Sequence, residues 1–239
     1  RFREAMIAAG IPADVLAAVH GGADVGAALA EAPGVDAISL TGSTAAGIAV
    51  ARATAHTLRF LHLELGGNNG CLILDDADLD LVAAEVTRGR LMMNGQACSA
   101  SKRLIVHRSL HDQLASKLVD AVQSQRHGAA TDPESTVGPL IHAGAAKKVA
   151  GQVANARSQG AEIAAGTGEA DGAYFPPTLL AGVPFDADIA RDDEIFGPVF
   201  NLIPVDSTEQ AIEVANSSSF GLMASVFSED PRRALHVGE

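Results

Sequence analysis

The sequence has no tryptophan, one tyrosine and only two cysteines in 239 residues. Two cysteines cannot build a disulfide framework, so the chain reads as one kept in a reducing, cytoplasmic compartment. Basic residues are scarce as well. The 17 Lys and Arg stand against 29 Asp and Glu, a formal charge of −12, which is the wrong sign for a protein that grips nucleic-acid backbones with clustered cations. No apolar run reaches the roughly 18 residues of a spanning helix, and no basic start with an apolar stretch marks a secretory signal. Eight histidines are present, yet His107 and His111 lack the glutamate of a zinc-binding helix, and no Cys or Asp joins them at ligand spacing, so no metal site is expected. What remains is an acidic, soluble globular chain, long enough for one large or two modest domains.

Short β-rich runs alternate with amphipathic stretches, the pattern of an α/β architecture. Strands are expected at Val35–Leu40, Phe60–Leu65, Cys71–Leu74, Arg103–His107 and Met223–Phe227. Helices are expected over Ala45–Thr57, from Asp78 towards Met93, along the Leu110, Leu114, Leu118 and Val122 stripe with Gly128 just past its end, and over Ala143–Gln159. Ser207 and Gln210 have the spacing of a capping box, each side chain satisfying the other residue's free N–H. Gly66-Gly67 is the expected hinge, dividing residues 1–65 from 66–239, and Gly166–Pro177 is expected to be a surface loop. The chain opens at Arg1 in what reads as the middle of a helix and closes in an uncapped helical stretch, so it is expected to be part of a longer protein.

Four segments could carry chemistry. Cys98 lies in Asn94-Gly95-Gln96-Ala97-Cys98-Ser99, a Gly-containing turn of small and polar residues, where access and nearby dipoles favour a nucleophilic thiolate. Cys71, among Leu72, Ile73 and Leu74, reads instead as a structural cysteine. Glu64 ends an apolar strand just before Leu65-Gly66-Gly67, at the edge where open α/β sheets bind ligands, and can act as a general base. Thr41-Gly42-Ser43-Thr44 links a strand to a helix whose free N–H groups suit an anion such as a pyrophosphate. Glu194-Ile195-Phe196-Gly197-Pro198-Val199 sets an acid and an aromatic before a turn and a strand. Each has a plainer reading: a loop cysteine, a solvated glutamate, an ordinary N-cap and a simple turn.

In this order the four segments resemble the aldehyde dehydrogenase superfamily. Leu63–Gly67 matches its glutamate motif, Asn94–Cys98 with Arg103 its cysteine motif, Thr41–Thr44 its cofactor turn and Glu194–Val199 its late motif. Gly10-Ile11-Pro12, Asp75–Asp80 and Gly138-Pro139-Leu140 also have counterparts there. The resemblance implies open twisted α/β sheets in three layers. Residues 1–65 would be the C-terminal half of a dinucleotide-binding domain, and 66–239 most of a catalytic domain. Cys98 would attack an aldehyde, and its backbone N–H would help hold the oxyanion. Glu64 would activate the water that hydrolyses the thioester, and its presence argues against a coenzyme-A-acylating branch. NAD or NADP would be held through Gly42, Ser43, Leu65, Glu194 and Phe196.

The intact protein would be a homodimer or tetramer acting on a small-molecule aldehyde, with no nucleic acid and no membrane as partner. Gly66–Asn69 and Ala100–Arg103 resemble the succinate-semialdehyde branches most. The family's first cofactor-binding half, its oxyanion asparagine and its C-terminal strands have no counterpart here, so the 239 residues alone are expected to turn over poorly. Asn68 stands where a lysine is frequent, and Leu40 where a phenylalanine is. Two rivals remain open: a non-catalytic remnant or scaffold, and a thiol esterase that needs no redox cofactor.

Overall fold

Five residues of β-branched, aromatic and aliphatic character form each of the two strands of the N-terminal unit, β1 (Ala37–Thr41) and β2 (Phe60–Glu64). They pair in parallel, from Ala37 opposite Phe60 to Thr41 opposite Glu64. Parallel neighbours need a crossover, and α3 (Thr44–Thr54) supplies it. Two further helices, α1 (Phe2–Ala8) and α2 (Ala23–Glu31), precede β1. The computed structural model describes all residues from Arg1 to Glu239. They form two units, Arg1–Leu65 and Gly66–Glu239.

The second unit is a six-stranded sheet. Its strands are β3 (Gly70–Ile73), β4 (Arg103–His107), β5 (Glu162–Ala165), β6 (Thr178–Ala181), β7 (Val199–Val205) and β8 (Ala224–Phe227). The spatial order is β5-β6-β7-β4-β3-β8, parallel throughout except that β5 runs antiparallel at its edge. Helices α4 (Leu79–Leu91) and α5 (Arg108–Gln123) bury Val82, Val86, Leu114 and Leu118 with Cys71, Ile73, Leu104 and Val106. Helices α6 (Ala143–Ser158) and α7 (Thr208–Asn216) bury Val149, Val153 and Val214 with Leu72, Ile105 and Ile203. Successive strand residues thus enter opposite cores, which is why β3 and β4 read as continuous apolar runs. A last helix, α8 (Pro231–Gly238), begins at the Asp230 cap.

Three expectations need correction. Helix α5 stops at Gln123, so Gly128 lies in the following loop rather than at its cap. Ser207 accepts from the Gln210 N–H at 3.2 Å, but the Gln210 side chain reaches one residue further back and accepts from the Asp206 N–H rather than from that of Ser207. The 166–177 loop is mostly exposed, yet it buries Phe175 and Pro177.

Candidate active site

Three segments meet because three strands are neighbours. Gly66–Asn69 leads into β3, Ala97–Lys102 into β4 and Glu194–Pro198 into β7, and the sheet places β3, β4 and β7 side by side. The gathering is at the amino ends of these strands, opposite to the carboxyl edge where ligands collect in most open α/β sheets.

The turn before Cys98 is held in a conformation that few residues adopt. Met93, Asn94 and Gly95 have φ of 51°, 57° and 76°, all in the left-handed region that costs non-glycine residues roughly 1–2 kcal/mol each. Asn94 tolerates it because its side chain completes bonds to a second segment, accepting from the Gly138 N–H at 2.8 Å and donating to the Pro139 carbonyl at 3.2 Å. Gln96 does the same with the Ile141 N–H at 2.9 Å. Gly95 is required twice over, by its φ and because a Cβ there would collide with the Gly197 carbonyl. Cys98 itself is half-buried. Its carbonyl accepts from the Asn69 amide at 2.6 Å and from Lys102 Nζ at 3.0 Å.

Three buried cations organise the surroundings. Lys102, with no exposed side-chain surface, donates to the Gly67 carbonyl at 2.5 Å and pairs with Glu194 Oε1 at 2.8 Å. Its ammonium also sits 5.6 Å from the Phe196 ring centroid. Burial lowers the Lys102 pKa, and the Glu194 carboxylate opposes that shift. Arg103 binds the carbonyls of Asn68, Ala190, Val214 and Ala215, and desolvation lowers its pKa to about 10. Arg90, on α4 and wholly buried, donates to the carbonyls of Val199, Ile195 and Gly197 at 2.5, 2.9 and 2.6 Å. Burial brings it down to about 9. The acidic–aromatic segment is therefore clamped along its backbone, and Glu194 also accepts from the Gly67 N–H at 3.2 Å. Phe196 remains exposed beside a groove of about 350 Å³, shared with Met93, Gln96, Lys148 and Gln152.

Asn68 is turned inward and donates to the Ile189 and Arg191 carbonyls at 3.1 and 2.8 Å. Cys71 is fully buried on β3, and desolvation raises its thiol to about 11. The plainer structural role suits it.

The other predicted residues belong to the N-terminal unit. Glu64 closes β2 with its carboxylate half exposed, 3.3 Å from His62 Nε2, and His62 Nδ1 lies 3.1 Å from Ser39 Oγ. Gly42 uses its N–H on the Glu64 carbonyl at 3.0 Å. Ser43 caps α3, accepting from the Ala46 N–H at 3.2 Å, and its hydroxyl hydrogen stays available to an anion at that helix end. Leu65 packs on α3 at Gly47, where a Cβ would come within 2.8 Å of it.

Within the second unit, then, the structure brings together Cys98, Glu194 and Phe196, and adds Asn69, Lys102 and Arg90, which sequence reasoning did not single out. The signal for those three was faint: polar residues inside or just before apolar runs, where burial demands partners.

Fold and site together define an α/β protein of mostly parallel sheets, with a half-buried cysteine just after a strained turn and a clamped carboxylate on a neighbouring segment. Comparison with known proteins goes further. The Aldehyde dehydrogenase family profile matches residues 1–239. The chain is 39% identical over 233 residues to the aldehyde dehydrogenase citD of Monascus ruber, covering 95% of this chain and 46% of that protein. It is 35% identical to the mitochondrial succinate-semialdehyde dehydrogenase of Oryza sativa subsp. japonica, covering 97% and 44%. The crystal structure of succinic semialdehyde dehydrogenase from Streptococcus pyogenes, in complex with NADP+, superposes with a TM-score of 0.92 at 36% identity, covering 99% of this chain and 52% of that one. The chain belongs to the aldehyde dehydrogenase family. It spans about half the length of the relatives it matches.

Proposed function

We propose that the protein oxidises an aldehyde to a carboxylic acid with NAD or NADP, Cys98 serving as nucleophile and Glu64 as general base. The observation that carries this reading is the convergence of the Cys98 turn, Gly66–Asn69 and Glu194–Phe196 at the amino ends of β4, β3 and β7. Nothing about a cysteine of structural use alone calls for a left-handed turn fixed by two side chains and a carbonyl held by two donors.

In this reading the Cys98 thiolate adds to the aldehyde carbonyl to give a thiohemiacetal, the oxyanion being met by the Cys98 backbone N–H. Bound NAD or NADP would supply the hydride acceptor, so that loss of hydride from the thiohemiacetal carbon would leave a thioester on Cys98. Glu64 then takes a proton from water as its oxygen attacks the thioester, releasing the carboxylic acid and the thiolate. Each unit by itself carries groups suited to part of such a cofactor: in the first, the Ser43 hydroxyl at the N-terminus of α3 would meet a pyrophosphate, with Gly42 and Leu65 nearby; in the second, the Glu194 carboxylate would meet ribose hydroxyls, with the Phe196 ring packing nearby. Arg1–Leu65 would then be the C-terminal half of the dinucleotide-binding domain, and Gly66–Glu239 the catalytic domain. We read the substrate as a small semialdehyde of the succinate-semialdehyde kind, on the strength of Gly66–Asn69 and Ala100–Arg103, and the working protein as a cytoplasmic homodimer or tetramer.

The test is NAD(P)H formation at 340 nm with a panel of aldehydes. Cys98→Ala should abolish turnover. Glu64→Gln should keep one equivalent of reduction per site and slow steady turnover by about 10²–10⁴-fold, with an acyl adduct on Cys98 seen by mass spectrometry. Turnover surviving in Cys98→Ala would refute the assignment, and cofactor-independent ester hydrolysis without aldehyde oxidation would replace it by a thiol hydrolase.

A further inference from the structure

Lys102 is a wholly buried amine whose partners all come from the three segments of the candidate site. One ammonium meets the Gly67 carbonyl at 2.5 Å, the Cys98 carbonyl at 3.0 Å and Glu194 Oε1 at 2.8 Å, under the Phe196 ring. Burying an unpaired amine is prohibitive, so this geometry exists only while all three oxygens stay in place. The backbone on either side is fixed independently, with the Lys102 carbonyl accepting from Asn201 at 2.9 Å and the Lys102 N–H donating to Asn69. The neighbouring Arg103 already ties the start of β4 to α7 and to Asn68. A second cation is not needed for that task.

We propose that Lys102 is a positioning residue for Cys98: its ammonium ties the Cys98 turn to the Gly66–Gly67 peptide and to Glu194, and the charge that the thiol experiences is set by the Lys102–Glu194 pair. The physical reason is the absence of solvent around the ammonium. A cation screened by water would act weakly on a thiol beyond its contacts, whereas one enclosed by protein acts over several ångströms. The ammonium reaches the carbonyl of the thiol's own residue at 3.0 Å, within the range over which an enclosed charge is felt. Arg90 is a further buried positive charge on this segment, but its own bonds all go to backbone carbonyls. The inference rests on Cys98 being the reactive thiol.

The experiment is the rate of Cys98 alkylation by iodoacetamide at pH 7, followed by peptide mass spectrometry on the full chain. Cys71 serves as the internal report on folding, since it is buried. Lys102→Met should slow Cys98 alkylation by roughly five- to tenfold, the scale of one desolvated charge removed, with Cys71 still protected. Glu194→Gln should speed it by a similar factor, because the ammonium is then unopposed. On the Lys102→Met background, Glu194→Gln should still speed alkylation but by a smaller factor, because without the ammonium the Glu194 carboxylate is no longer tied to the Cys98 turn. A residue that merely braced the fold would loosen the turn in both variants and change both rates in the same direction. Equal-signed changes, or no change with Cys71 protected, overturn the proposal. If Lys102→Met exposes Cys71, the Glu194→Gln rate alone decides: a rise supports the coupling and anything else defeats it. The measurement needs neither aldehyde nor dinucleotide, so failure of the dehydrogenase reading would show separately, in the turnover of Cys98→Ala.

Discussion

Arg90→Met removes the clamp on the acidic–aromatic segment at its root. The guanidinium is wholly buried and supplies the Val199, Ile195 and Gly197 carbonyls. Hydrogen bonds to a charged donor are worth about 1.5–3 kcal/mol each, but three from one side chain do not add, because truncation also relieves the cost of burying the charge. Leaving a buried carbonyl without its donor costs about 1–3 kcal/mol, and three are orphaned together here. One guanidinium nitrogen, Nη1, has no partner here, so the arginine already carries some uncompensated burial, and the lower end, about 3 kcal/mol, is the better expectation. With a urea m-value of about 2 kcal/mol/M, that lowers the unfolding midpoint by about 1.5 M with the slope unchanged. Arg90→Lys, which can reach one carbonyl rather than three, should recover less than half of the loss. A midpoint shift below about 0.5 M for Arg90→Met would refute the claim that these bonds hold the segment.

Two further outcomes follow from the same geometry. Gly95→Ala combines a left-handed φ of 76° with a collision against the Gly197 carbonyl; a loss of at least about 2 kcal/mol is expected by denaturant titration, and a variant as stable as the parent would show that the turn and the Glu194 segment are not in contact. Cys71 has its pKa raised from 9.0 to about 11 by burial, so its protonated form contributes stability that is full below pH 9 and is lost as pH rises through about 11. Cys71→Val should flatten that alkaline limb in a pH series of unfolding midpoints, while a limb unchanged by the substitution would assign it to another group.

Much of the site was legible because chemistry and local backbone geometry left marks in short windows. Cys98 in a turn of small residues, Ser43 between strand and helix, and Glu194 before a Phe-Gly-Pro turn are each recognisable within a few positions. The strands Cys71–Leu74 and Arg103–His107 were equally plain, since a strand covered on both faces carries an unbroken apolar run such as Leu104-Ile105-Val106. The short edge strand Glu162–Ala165 and the alanine-rich α2 were not, because half-exposed residues and small side chains carry little periodicity.

By itself, the sequence determined the alternation of strands and helices and the identity of the chemical groups, because hydrophobic period and residue type are local properties. Only the tertiary structure decided who stands beside whom. The order β7-β4-β3 makes neighbours of residues 67–69, 98–102 and 194–198. That adjacency turned Asn69, Lys102 and Arg90 from unremarkable polar residues into the groups that hold the Cys98 and Glu194 backbones. Burial is the physical reason: a polar side chain inside the protein must find partners, and partners on other segments of the chain are chosen by the sheet, not by the local sequence.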